Sequence, residues 1–302
     1  MRRIAKWVGI AVLGLLLVAS IGVGGAVLVA KRAMARVHQV PDEPLAIGSK
    51  PEVIEEGRRL LAARGCAECH GADLGGGVVL DDPALGSLYA PNITLGRGSV
   101  VEGFRDADWV RAIRHGVKRD GRPIVIMPAN EYYFLSDRDL SAIIAFAKTA
   151  APVDRELPPH RIKPLLYVLT ALEVFPLLAA NSIDHAAPRE AVSEPEATKE
   201  YGRYLAKVQC QGCHGEGLGG GPPPGAPASL PVPANLTPDE ATGIGKWTEA
   251  DFVRALREGR RPDGRELDPF MPWKNFRNLD ETELHALWAY VRSVPAKPFG
   301  SR

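Results

Sequence analysis

All four cysteines of the chain fall in two pentapeptides, Cys66-Ala67-Glu68-Cys69-His70 and Cys210-Gln211-Gly212-Cys213-His214. The C-x-x-C-H spacing suits covalent attachment of haem. The two thiols can reach the two vinyl groups on one edge of a porphyrin. The imidazole next in sequence then falls under the iron. Cys66, Cys69, Cys210 and Cys213 are the expected attachment points of two covalently bound haem c groups, with His70 and His214 as axial iron ligands. A zinc ribbon also uses C-x-x-C pairs, but about 15–20 residues apart. Here 141 positions separate Cys69 from Cys210. A thioredoxin-like redox pair needs a βαβ context, which the sequence does not show.

Each iron then needs a sixth ligand. The chain has four methionines. Met1 starts it and Met34 adjoins a long apolar run, which leaves Met127 and Met271, both followed by proline. Each lies 57 positions beyond its histidine, His70 or His214. A thioether is a soft ligand that favours ferrous iron and raises the reduction potential. Equal spacing and shared context favour ligation over the usual gap-filling role of methionine in cores. The remaining histidines, His38, His115, His160, His185 and His285, read as surface or capping groups. His115 precedes Gly116 at an expected helix end, where a cation suits the dipole. Arg122 and Arg265 follow Asp-Gly turns, either as propionate partners or as solvated loop cations.

These groups sit on a tandem repeat with an offset of 144 residues, slipping to 143 in the middle. Leu74-Gly-Gly-Gly77 maps to Leu218-Gly-Gly-Gly221, Tyr132 to Phe276 and Phe146 to Tyr290. Asn92-Ile-Thr94 maps to Asn235-Leu-Thr237. The Gly-rich segments lack the Gly-Lys-Ser/Thr ending of a phosphate loop, so they read as backbone passing close to a flat cofactor. Helices are expected over Pro51–Ala63 and Glu196–Lys207, over Asp106–His115 and Thr248–Glu258, and after the capping pairs Ser136/Asp139 and Asp280/Glu283. The last pair carries apolar residues at i, i+3, i+4, i+7: Leu140, Ile143, Ile144, Ala147 and Leu284, Leu287, Trp288, Val291.

Arg2, Arg3 and Lys6 precede an uncharged run of 24 residues from Trp7 to Ala30, long enough to span a bilayer and longer than a signal-peptide core. The expected organisation is a signal-anchor helix over 1–36, a linker over 37–49, a haem domain over 50–150, an interdomain segment over 151–195 and a second haem domain over 196–298. The apolar stretch from Pro164 to Ala180 contains Glu173 and Pro176 and is short for a span. It reads as a helix packed on a haem domain or lying at the membrane surface. Covalent haem is attached outside the bacterial cytoplasm, which places both domains in the periplasm, on a single-pass anchor in the inner membrane. The net charge of +1 and pI near 7.7 give no broad basic field for nucleic acid. Disulfides are not expected, since the haems use every thiol.

The chain resembles bacterial mono- and dihaem c-type cytochromes with class I domains. Asn235-Leu-Thr-Pro-Asp, Gly243-Ile-Gly-Lys-Trp-Thr, Asp251-Phe-Val-Arg-Ala-Leu-Arg-Glu-Gly259 and Phe270-Met-Pro272 are similar to the cytochrome subunits of membrane-bound alcohol, aldehyde and gluconate dehydrogenases. Those subunits usually carry three haem motifs, against two here. The resemblance implies an all-α fold: an N-terminal transmembrane helix, then two tandem class I cytochrome c domains. It implies an electron-transfer protein with no catalytic residues of its own, working between a donor (a dehydrogenase or quinol-oxidising complex) and an acceptor such as a terminal oxidase. A dihaem subunit of a cbb3-type oxidase has a similar layout. A dihaem peroxidase would need an exchangeable iron position, which two methionines at equal spacing oppose.

Overall fold

The computed structural model describes residues 2–302 apart from 176, 190, 193, 225 and 227–229, so Met1 and Pro176 lie outside the described residues. The chain opens with α1 (Arg2–Ala35). The first half follows with α2 (Pro51–Ala63), α3 (Cys66–His70), strands β1 (Gly77–Asp82) and β2 (Gly86–Ala90), α4 (Asp106–His115), α5 (Ala129–Tyr132) and α6 (Asp137–Thr149). Strand β3 (Arg161–Ile162), α7 (Pro164–Ala171) and a 3-10 turn (Ala179–Ser182) lead to the second half. That half holds α8 (Lys199–Gln209), α9 (Gln211–His214), α10 (Glu249–Glu258), α11 (Trp273–Phe276) and α12 (Glu281–Ser293).

Local chemistry sets the helix ends. α2 takes proline in its first turn, where a missing N–H costs nothing. Ser136 Oγ accepts from the Asp139 N–H at 3.0 Å and Asp280 Oδ1 from the Glu283 N–H at 2.8 Å, which starts α6 and α12. α8 begins three residues later than the sequence suggests because Thr198 is the cap. Gly116 and Gly259 end α4 and α10 in the left-handed region.

Each half crosses its first helix over its last. The crossing is close because Gly57 on α2 and Gly202 on α8 have no Cβ. A methyl group there would overlap the backbone carbonyls of Ala142 and Ala286. Leu60, Trp109, Leu140 and Ile144 centre one core, and Leu205, Phe252, Leu284 and Leu287 the other.

The all-α expectation needs a correction. β1, β2 and β3 form a small antiparallel sheet, with Val78 opposite Tyr89 and Gly86 opposite Ile162. β-branched and aromatic residues around a tight turn favour the hairpin. The third strand comes from the interdomain segment. A third apolar cluster joins Leu88, Val125, Leu166 and Leu177 to Ala33 and Met34. α7 therefore packs both on the first half and along the end of α1. By length and composition, α1 is the one described helix suited to cross a membrane.

Candidate functional site

Both C-x-x-C-H runs fold as a single helical turn. Cys66, Cys69 and His70 lie on α3; Cys210 caps α9, which carries Cys213 and His214. His70 Nδ1 lies 2.9 Å from the Pro91 carbonyl oxygen, and His214 Nδ1 2.7 Å from that of Ala234. A carbonyl only accepts, so Nδ1 carries the proton in each ring and Nε2 keeps its lone pair. Burial lowers the pKa of both imidazoles and favours that neutral form. Metal-bound histidines are held in this way, so the residues fit a haem iron. Burial also pushes the Cys66 thiol up to about 11 and Cys210 up to about 12. A redox-active C-x-x-C pair works through a depressed thiol pKa, the opposite of what burial does here.

The carbonyls are pinned by an identical peg in each half. Asn92 Nδ2 donates to Val153 O at 2.6 Å, and Asn235 Nδ2 to Lys297 O at 2.7 Å. The Thr94 hydroxyl donates to Asn92 Oδ1 at 2.8 Å, and the Thr237 hydroxyl to Asn235 Oδ1 at the same distance. The peg ties the loop next to Pro91 or Ala234 to the segment beyond the last helix. The sequence shows the Asn-x-Thr repetition, but a backbone carbonyl leaves no letter of its own.

Met127 and Met271 sit in matching loops. Asp120-Gly121 and Asp263-Gly264 turn short ladders, Val117 with Pro123 and Arg260 with Glu266, and the chain then runs into each methionine. The Ile126 N–H donates to Leu177 O at 2.7 Å, which holds a non-glycine residue at φ 66° just before Met127. Met271 and Cys210 pack against one core. The Met127 loop reaches its own haem motif through Tyr132, whose hydroxyl donates to Arg64 O at 3.0 Å, two residues before Cys66. Arg122 and Arg265 fold back on Asp120 and Asp263 at 2.6 Å, as solvated turn cations.

The remaining histidines divide. His285 pairs with Glu249, and His160 accepts from the Tyr89 N–H. His115 ends α4 as expected but is fully buried rather than at the surface. Ring nitrogens link His38 to His185 at 3.1 Å and His185 to His115 at 3.0 Å, and His115 Nε2 reaches Glu43 Oε1 at 2.9 Å. This network straps the stretch after α1 and the interdomain segment onto the first half.

Comparison with known families matches residues 200–295 to Cytochrome c, and residues 52–146 to Cytochrome C oxidase, cbb3-type, subunit III. The chain carries two cytochrome c domains. It is 34% identical over 294 residues to the fructose dehydrogenase cytochrome subunit of Gluconobacter japonicus, covering 88% of this chain and 57% of that protein. It is 36% identical over 271 residues to the cytochrome c subunit of the alcohol dehydrogenase (quinone) of Gluconobacter oxydans, covering 82% and 56%. The gluconate 2-dehydrogenase cytochrome c subunit of Pantoea cypripedii is 26% identical over 272 residues, covering 81% and 60%. The chain thus spans somewhat over half the length of these relatives.

The two cytochrome c domains meet in a reciprocal seam that sequence reasoning missed. Arg59 of α2 pairs with Glu283 at the start of α12. In exchange, Tyr204 of α8 donates to Asp139 Oδ2, at the start of α6, at 2.7 Å. Glu131 of α5 packs on Gly212 inside the second motif, and Asn275 of α11 on Gly65 just before the first. Arg64 lies at the centre, 3.2 Å from Glu283 and 3.5 Å from Asp139, all three side chains at most 1% exposed. The seam thus covers parts of both haem motifs. Burial pushes the Asp139 carboxyl up, but the guanidiniums of Arg64 and Arg138 and the Tyr204 hydroxyl outweigh it and hold the pKa below normal.

Proposed function

We propose that this chain is the electron-transfer subunit of a membrane-bound dehydrogenase. In this reading α1 anchors it in the bacterial inner membrane, and both cytochrome c domains work in the periplasm. One haem c would be held by Cys66, Cys69, His70 and Met127, the other by Cys210, Cys213, His214 and Met271. The chemistry a bound haem supplies is a one-electron Fe(III)/Fe(II) couple. The chain's own residues attach and orient that group: the Pro91 and Ala234 carbonyls hold each imidazole with Nε2 free, and the Asn92 and Asn235 pegs hold the carbonyls. That doubled histidine–carbonyl geometry is the observation that carries the reading. The chain adds no catalytic residue in this role. A dehydrogenase as donor follows the named relatives; quinone or a terminal oxidase would accept.

The test is an optical redox titration of the full chain with a carbon monoxide challenge of the reduced form. Two positive potentials and no carbon monoxide binding are expected. Met127→Ala and Met271→Ala should each lower one potential and open that iron to carbon monoxide. Unchanged behaviour in both variants would refute the methionine assignment. The cbb3-type match over residues 52–146 supports a second reading, a subunit of a terminal oxidase. Co-purification with a dehydrogenase rather than with an oxidase decides between the two.

A further inference from the structure

On α1, Ala30 is buried and Ala26, Val27, Ala33 and Met34 are partly buried, while most of the helix is exposed. Their spacing puts them on one face. α7 packs along this end of the helix: Ala33 and Met34 join Leu166 in one apolar cluster, and Lys31 Nζ lies 5.8 Å from the centroid of the Tyr167 ring. The uncharged run ends at Ala30, so α7 sits at the depth where a bilayer's apolar core gives way to headgroups. α7 itself carries no charge, and its Leu165 and the adjoining Leu172 stand exposed.

Between α1 and the first cytochrome c domain lies a cleft of about 270 Å³, lined by Lys31, Met34, Lys118, Arg122, Val125 and Tyr167 among others. Its charged lining is entirely cationic. Asp120 beside it pairs with Arg122, and its charge also reaches Lys118. Three cations therefore face one carboxylate at headgroup depth, with apolar side chains at hand. Lysine and arginine near a helix end place their charge at the lipid surface while their stems lie along apolar groups.

We propose that this cleft binds the phosphate of an anionic phospholipid, with the acyl chains running past Leu165 and Leu172. Lys31, Lys118 and Arg122 supply charge-assisted donors to the phosphate. The first cytochrome c domain is thereby held against the membrane surface instead of swinging on a tether. This rests on the reading of α1 as a membrane span, which carbonate extraction tests separately.

The full chain, haem-loaded, is placed in nanodiscs of phosphatidylcholine containing a minority of phosphatidylglycerol, and the lipid retained after detergent exchange is measured. Phosphatidylglycerol should be enriched over its share of the bilayer. Lys118→Gln and Arg122→Gln should each cut that enrichment by roughly fivefold, with absorption spectrum and melting temperature unchanged. A nitroxide on Leu172→Cys, unique because the haems use the native thiols, should be open to oxygen and closed to a water-soluble nickel chelate. Retention in proportion to bulk lipid, or a nickel-accessible label in a carbonate-resistant protein, would overturn the lipid site while leaving the span intact. Release of the protein by carbonate would overturn the span and the lipid site with it.

Discussion

Replacing Arg64 with leucine probes the seam without touching either core. The guanidinium lies between Glu283 at 3.2 Å and Asp139 at 3.5 Å, and all three side chains are withdrawn from water. Breaking a buried ion pair by removing one partner costs about 3–5 kcal/mol. Two features reduce that figure. Arg59 still pairs with Glu283 and Arg138 with Asp139, so neither carboxylate is left bare. Arg64 Nε is buried without a hydrogen-bond partner, and removing it relieves about 1 kcal/mol of desolvation. A net loss of about 2–3 kcal/mol remains, roughly 3–5 °C in melting temperature for a chain of this size. Thermal unfolding of the haem-loaded protein, followed by circular dichroism and haem absorption, should show it. The loss falls on the contact between domains, so one transition should split into two. The pH dependence gives an independent check. The Asp139 pKa is depressed in the folded state, so its stabilisation is present above the unfolded value, near 3.8. It is lost as pH falls through the lower folded value. Arg64→Leu removes one of the groups that lower it, so acid unfolding should move to higher pH. A variant as stable as the parent at neutral pH, with an unshifted acid limb, would refute the reasoning.

Glu131→Gln should raise the potential of the second domain, since a half-buried carboxylate on Gly212 favours the ferric state by an amount on the order of 1 kcal/mol. An optical redox titration reads this as an upward shift of tens of millivolts in one wave; no shift in either wave would sink the idea. The histidine strap should loosen with acid in two windows. Burial, then His115 and His38, lower His185 from 6.5 to about 4, so the neutral ring's contribution fades as pH falls between those values. Glu43 is lowered to about 2: burial pushes it up, but His115 and Arg189 outweigh it, so its contribution fades from about pH 4.5 down to 2. Limited proteolysis of the segments on either side of α7 should follow the first window, and Glu43→Gln should abolish the second.

What the sequence discloses depends on how local the cause is. α2 and α4 begin and end where proline, acidic first turns and glycine stops place them, because each signal acts within a turn. The haem motifs are equally local. The sheet is not: β3 is two residues long and pairs with a strand about 75 positions earlier, so it carries no period of its own. The seam is least legible, yet its central residue has a rationale in the repeat. Gly57 and Gly202 occupy equivalent crossings, but Gly57 lies nine positions before Cys66, while Gly202 lies eight before Cys210. The first half thus has one extra residue between crossing and motif, in the stretch that carries Arg64. In a two-fold contact, a residue near the axis meets its own counterpart. Two arginines there would repel each other beside a pair of buried carboxylates. Instead Arg64 Nη1 donates to Gln209 Oε1 at 2.6 Å, so a single guanidinium serves Asp139 and Glu283 together. The departure from the repeat falls where strict symmetry would place like charges face to face.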